Sequence, residues 1–129
     1  MAAINCKRGE IYLVDFNPTR GSEQAGERPA MVIQNDTGNL YSPTTIVAAC
    51  STAINKPFPF MFNITAKESG LNYHSSVNLA QILTIDKIRL VKKIGSLPAS
   101  KIINLNNAII NSLGWSEPLR LDMDISKLD

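Results

Sequence analysis

Histidine occurs once in this chain of 129 residues, tryptophan once and cysteine twice. With so few nitrogen and sulfur donors, a recognisable zinc set of spaced His and Cys is excluded. The thiols, Cys6 and Cys50, form no CxxC pair, and two cysteines do not make the framework of a disulfide-stapled miniature. Nothing in their placement argues for an oxidising compartment. Cys50 lies in an apolar run and is expected as a buried thiol, while Cys6, near the terminus, is expected to be free. No run approaches the ~18 apolar residues of a spanning helix. The N-terminus lacks the long apolar stretch that follows the basic residues of a secretory leader. The expectation is a cytoplasmic protein with no membrane contact. A dominant charge is also lacking: 13 basic residues face 11 acidic ones, a net of +2. No overall basic field therefore announces nucleic acid. The balance is uneven, however, since residues 116–129 hold four acids against two bases. Setting that −2 aside leaves a body of +4, compatible with a groove for a polyanion.

What is present suits one ordinary globular domain, long enough to bury a core without staples. There are no internal repeats or low-complexity segments. Gly9 to Phe16 is expected as a strand, with Ile11 and Leu13 pointing one way and Tyr12, Val14 and Phe16 the other, so both faces are partly covered. Met31 to Gln34 reads as a short buried strand, and residues 35–39 as turn chemistry. Thr44 to Ser51 reads as an interior strand. Lys56-Pro57 begins a second loop. Phe58, Phe60, Phe62 and Ile64 alternate with Pro59, Met61 and Asn63, a period-two signal whose start Pro59 pushes toward an edge. Lys67 to Asn72 is a turn centred on Gly70. Ser76 to Ile82 is a strand, and Leu90 to Ile94 another short one. From Pro98 to Leu113 the period changes: Ile102, Leu105, Ile109 and Leu113 line one face of a helix, with Ile103 and Ile110 flanking. Pro98 suits its first turn and Gly114 the residue past its end. Its asparagines are weak helix formers, so packing must hold it. Short strands followed by one helix predict a mainly β domain, a compact barrel-like sheet with a C-terminal helix. Pro118 begins a polar tail.

The stretch with most chemical promise is Gly21-Ser22-Glu23-Gln24-Ala25-Gly26-Glu27-Arg28-Pro29, followed by Ala30-Met31-Val32-Ile33-Gln34. Two glycines mark a surface loop. Pro29 suits the first residue of a strand and biases Arg28 toward extended backbone. Arg28 thus sits where a flexible loop becomes a rigid strand, a place from which a guanidinium can grip a phosphate.

Several blocks in order resemble the MazF/PemK family of bacterial toxin endoribonucleases. They are Lys7-Arg8-Gly9-Glu10-Ile11-Tyr12, Asp15-Phe16-Asn17-Pro18, the arginine loop and its strand, and Asn35-Asp36-Thr37-Gly38-Asn39 with Tyr41-Ser42-Pro43-Thr44. Ile46-Val47-Ala48-Ala49, Gln81-Ile82 with Thr84-Ile85-Asp86-Lys87, Lys93-Ile94-Gly95 and Ser112-Leu113-Gly114 complete the series. The resemblance makes residues 1–115 one toxin domain and 116–129 a tail. It implies the SH3-like barrel of MazF, PemK and the gyrase poison CcdB, and a homodimer. It further implies metal-independent, ribosome-independent cleavage of single-stranded RNA without a cofactor. The implied partner is a MazE-like antitoxin with an acidic, disordered C-terminal tail. Operator DNA would be bound only by the toxin–antitoxin complex.

Carried over position by position, the family's catalytic arginine falls on Arg28 and its strand-end hydroxyl on Ser51. Threonine is usual there, so Ser51 keeps the oxygen and loses the methyl; Thr52 is a possible substitute. His74, the only histidine, is a further possible catalytic group. Asn17 and Glu23 beside the loop, Gln24 within it, and Gln34 and Gln81 make up the RNA-contacting set, the glutamines by bonding base edges that single strands leave open. Phe16, Tyr41 and Tyr73 are candidates for stacking on bases, with core or rim packing as the ordinary role of such residues. Two positions depart from the family pattern: Ala80 where many relatives carry an acid, and Leu83 where many carry arginine. They motivate a rival, an RNA binder that cuts weakly or not at all. A second rival is a CcdB-type gyrase poison acting through its C-terminal helix.

Overall fold

The computed structural model describes residues 4–17 and 26–114. Six antiparallel strands form one sheet: β1 (Glu10–Asp15), β2 (Glu27–Val32), β3 (Thr44–Thr52), β4 (Met61–Ile64), β5 (Ser75–Asp86) and β6 (Leu90–Ser96). Their order across the sheet is β4-β5-β3-β2-β1-β6. Three helices complete it, α1 (Asp36–Tyr41), α2 (Ala66–Ser69) and α3 (Ile102–Leu113).

Side chains on a strand alternate between faces, and here both faces find cover. One, the inner face, holds Ile11, Met31, Ala48, Cys50, Phe62, Ile64, Val77 and Leu79, packed against Leu105 and Ala108 of α3. The outer face holds Tyr12, Val14, Ala30, Val32, Val47, Ile85 and Leu90, with Cys6 from the N-terminal segment laid against them. β1 is therefore buried on both sides, as its sequence predicts. The sheet also curls on itself. A Cβ at Gly95 of β6 would meet the Ser69 carbonyl of α2 at 2.6 Å. α2 follows β4, so the two edge strands of the sheet are drawn toward one another. Only a residue without a side chain tolerates that approach.

Three local expectations are revised. The 35–39 segment forms the start of a short helix, not a bare turn, because Asn35 Oδ1 caps it by accepting the Gly38 N–H at 2.8 Å. Buried Asn39 then anchors α1: its Oδ1 accepts from Thr45 Oγ1 at 2.7 Å and from Gln34 Nε2 at 3.1 Å. The alternating Phe58–Ile64 run becomes a strand only from Met61. Pro59 has no N–H to offer a ladder; instead Met61 N–H turns back to Phe58 C=O at 2.8 Å. Phe58 and Phe60 stack on each other, 5.3 Å between centroids. The turn expected from Lys67 to Asn72 around Gly70 is preceded by one helical turn, Ala66–Ser69, with a capping box between Thr65 and Glu68, ended by Gly70 at φ 82°.

In α3 the central stripe is displaced. Leu105 and Ala108 are its buried residues, while Leu113 is 69% exposed. Asparagines help to fasten the helix: Asn111 Nδ2 donates to Pro59 C=O at 2.9 Å, and Asn106 Oδ1 accepts from Arg8 Nη2 at 2.9 Å. The thiol of Cys50 is buried as expected, and so is that of Cys6; both are free.

Candidate functional site

Along the outer face the middle of the sheet is apolar and one end turns polar. β2 pairs with β3 through Ala30–Ala49, Met31–Ala48 and Val32–Val47. Carrying that register two residues outward sets Arg28 across from Ser51. Both are exposed. By strand alternation both share the face of Ala30 and Ala49. Adjacent strands lie about 4.8 Å apart, so the guanidinium and the hydroxyl project from neighbouring strands over the same rim.

The approach to this rim is clamped. Phe16 N–H donates to Gly26 C=O at 3.1 Å, closing the neck of the loop between β1 and β2. Arg89 Nη1 donates to the carbonyls of Asp15 (3.0 Å) and Asn17 (2.7 Å). Asn17 N–H donates to Asp15 Oδ1 at 2.8 Å. Asn17 is thus held at the exit of β1 with its side chain exposed. Glu23 and Gln24 lie outside the described residues, as does residue 115 onward.

The other candidates separate. Thr52 is exposed but paired with Ser75, so alternation turns it to the inner face, away from Arg28. His74 braces two segments: its Nδ1 accepts the Ala66 N–H at 2.9 Å and its carbonyl accepts the Ala53 N–H at 3.2 Å. Gln34 lies past the opposite end of β2, and its Nε2 is engaged inside the protein by Asn39 Oδ1 and by Thr44 C=O at 3.0 Å. Gln81 is exposed on β5, beside the irregular register where Ala48 pairs with Ile82 but Ala49 with Asn78. Ala80 in that bulge is exposed, its N–H donated to Asn78 Oδ1 at 2.9 Å. Leu83, also exposed, offers no charge. Tyr41 and Tyr73 are solvent-facing, at 80% and 77%, and so are open to stacking rather than core packing. Cys50, next to Ser51 on the chain, points to the inner face; burial pushes its thiol up to about 12. It is inert as a nucleophile near neutral pH.

Two residues not singled out from sequence also belong to this end. Ser76 pairs with Ser51 on one side and with Asn63 of β4 on the other. Ser76 Oγ and Asn63 Oδ1 are buried, with no hydrogen-bond partner among the described residues. The available signal is the polar Asn63 placed between inward-facing Phe62 and Ile64.

The family model for PemK-like, MazF-like toxins of type II toxin–antitoxin systems matches residues 7–113. An "Endoribonuclease MazF" of Staphylococcus epidermidis is 50% identical over 109 residues, 84% of this chain and 91% of that protein. Among solved structures, an endoribonuclease from a mycobacterial species superposes with a TM-score of 0.71 at 19% identity, covering 92% of this chain and all of the other. A mycobacterial endoribonuclease in complex with its cognate antitoxin gives 0.71 at 20%, covering 88% and 99%. At those identities the structures speak for the fold. The gyrase-poison alternative is not favoured by these comparisons.

Proposed function

The chain belongs to the PemK-like, MazF-like toxins of type II toxin–antitoxin systems, and from that premise we propose that it is an endoribonuclease that cuts single-stranded RNA through its own 2′-OH. The observation that carries this is the shared rim: one exposed cation, Arg28, and one exposed hydroxyl, Ser51, on neighbouring strands of the sheet. The reaction asks for little more than placement and charge. The 2′-oxygen attacks the adjacent phosphorus as its proton leaves. A phosphorane forms, and the 5′-oxygen departs with a proton. Electrostatic stabilisation of such a charged state contributes about two to three decades of rate. Arg28, with its planar fork, grips two phosphate oxygens. Ser51 Oγ hydrogen-bonds beside it and fixes the reacting sugar–phosphate. Asn17, Glu23, Gln24 and Gln81 make up the RNA-contacting set around this pair.

The protein works as a homodimer, and its regulator is a MazE-like antitoxin whose acidic tail occupies the RNA groove. Operator DNA is bound by the complex of the two. The antitoxin assembly has support in the fold shared with a structure solved with its cognate antitoxin.

The test is direct. Pure protein is incubated with mixed single-stranded RNA in EDTA. Fragments ending in 2′,3′-cyclic phosphate and 5′-OH are expected. A substrate with one 2′-deoxy sugar on the 5′ side of the cut should bind and stay whole. Intact RNA throughout, or cutting of the deoxy substrate at the same bond, refutes the proposal.

A further inference from the structure

The row begun by Ser51 continues across the outer face through Ser76 to Asn63, and Asn63 borders a cavity of about 370 Å³. The cavity walls include Ile54, Asn63, Glu68, His74 and Lys101. Four of these side chains have determinate hydrogen-bonding roles. Asn63 Nδ2 donates to Ile54 C=O at 2.6 Å, which fixes the amide's orientation and leaves Oδ1 a buried acceptor with no partner among the described residues. Native proteins rarely leave such an atom unsatisfied, so it requires an explanation. His74 Nδ1 accepts the Ala66 N–H, so in the neutral ring the proton sits on Nε2 and donates. Lys101 is a donor only. Glu68 Oε1 is occupied by the Thr65 N–H at 2.8 Å.

The charge balance decides what kind of group fits. One carboxylate and one ammonium border the cavity, so a phosphate placed there would sit beside Glu68 without a surplus of positive charge. A flat neutral group with its own donors and acceptors meets no such penalty. We propose that this cavity seats one nucleobase of the RNA, next to the bond held by Arg28 and Ser51. Asn63 Oδ1 accepts an N–H from that base, and His74 Nε2 and Lys101 Nζ donate to its carbonyl oxygen. Uracil, cytosine and guanine each offer an N–H together with a carbonyl oxygen whose two lone pairs can take both donors; adenine offers an N–H and a ring nitrogen with a single lone pair, and so leaves one donor unmet. The site therefore selects against adenine. This inference rests on the RNA-binding part of the function proposed above, but not on cutting.

Labelled oligodeoxynucleotides test it, because they lack the 2′-OH and survive. Oligo-dU and oligo-dC should bind the full-length protein about tenfold more tightly than oligo-dA, the scale of one good base contact. In Lys101→Met and in Asn63→Leu, which remove a donor and the acceptor respectively, each checked by thermal melting, that preference should collapse to within about twofold. Equal binding of all three by the parent overturns the inference, as does a preference that survives in a folded Lys101→Met protein. Should the parent show the preference yet leave RNA uncut, the cavity assignment stands and the cleavage proposal falls.

Discussion

A single arginine carries most of the chemical case, and its surroundings say what removing it should do. Arg28 is exposed and lies at the rim, outside both apolar clusters. Arg28→Ala should keep its fold and lose about a hundredfold to a thousandfold in cleavage rate, the loss of about 3–4 kcal/mol of transition-state stabilisation. Arg28→Lys should recover only part, since an ammonium is a point charge and cannot engage two oxygens in a plane. Ser51→Ala should be milder and Ser51→Thr neutral or better, as threonine keeps the oxygen. Rates with one defined RNA, beside melting curves, check all four; parent-level cutting by Arg28→Ala moves the chemistry elsewhere. Glu10 supports a pH prediction. Burial disfavours its charge, but the Lys93 ammonium at 2.9 Å, the Lys7 N–H at 2.7 Å and the Tyr12 hydroxyl at 3.0 Å outweigh it. Its folded pKa therefore lies below the ordinary 4.5. The stabilisation is complete above that value and is lost as pH falls through the folded one. Glu10→Gln should lower stability at pH 7 and flatten the acid limb of the stability curve, measured by urea unfolding between pH 7 and 3.

At the level of elements, the closure of the sheet is the most sensitive feature. A methyl at Gly95 would press on a backbone oxygen at 2.6 Å and on Leu71 Cδ2 at 3.1 Å. Backbone does not rotate away, so Gly95→Ala should cost about 1–3 kcal/mol in urea unfolding, as overpacking does. Gly26, with nothing within 4 Å of its hypothetical Cβ, is the control: Gly26→Ala should change stability little. A Gly95→Ala protein as stable as the control would mean that β6 and α2 do not press together in solution. Gly95 also marks the limit of sequence reading. Apolar and β-branched runs made β1, β3 and β5 legible, alternation pointed to β4, and the 3.6-residue period made α3 legible, because each signal is local. Which edges meet is not local, and neither is the row Ser51–Ser76–Asn63, which depends on the pairing register of three successive strands with β5 between β3 and β4. Arg28 and Ser51 were found by resemblance; their common face needed the β2–β3 register. The short α1 and α2 escaped because Asn35 and Thr65 also suit turns, and a single cap bond tips the segment into a helix.

For the whole molecule, the question is how a protein of net charge only +2 attracts RNA and is restrained. The rim presents Arg28 over a polar edge, and the −2 of residues 116–129 leaves the rest of the chain at +4. An acidic antitoxin tail and an RNA strand are both flexible polyanions, and one rim with one arginine offers them the same ground. They should therefore compete. Both should also weaken as salt rises, because each binds partly by displacing or screening ions. A fluorescent 2′-deoxy RNA decoy, titrated with a peptide of the cognate antitoxin's acidic tail, gives the measurement. Full displacement is expected, with both dissociation constants increasing between about 50 and 200 mM salt. Arg28→Ala should weaken both ligands, since both meet the same guanidinium. Light scattering on the same samples should return twice the chain mass, as the proposed homodimer requires. Simultaneous binding of peptide and decoy, or an Arg28→Ala protein that loses one ligand and keeps the other, would separate the two sites and leave the antitoxin to act at a distance from the RNA.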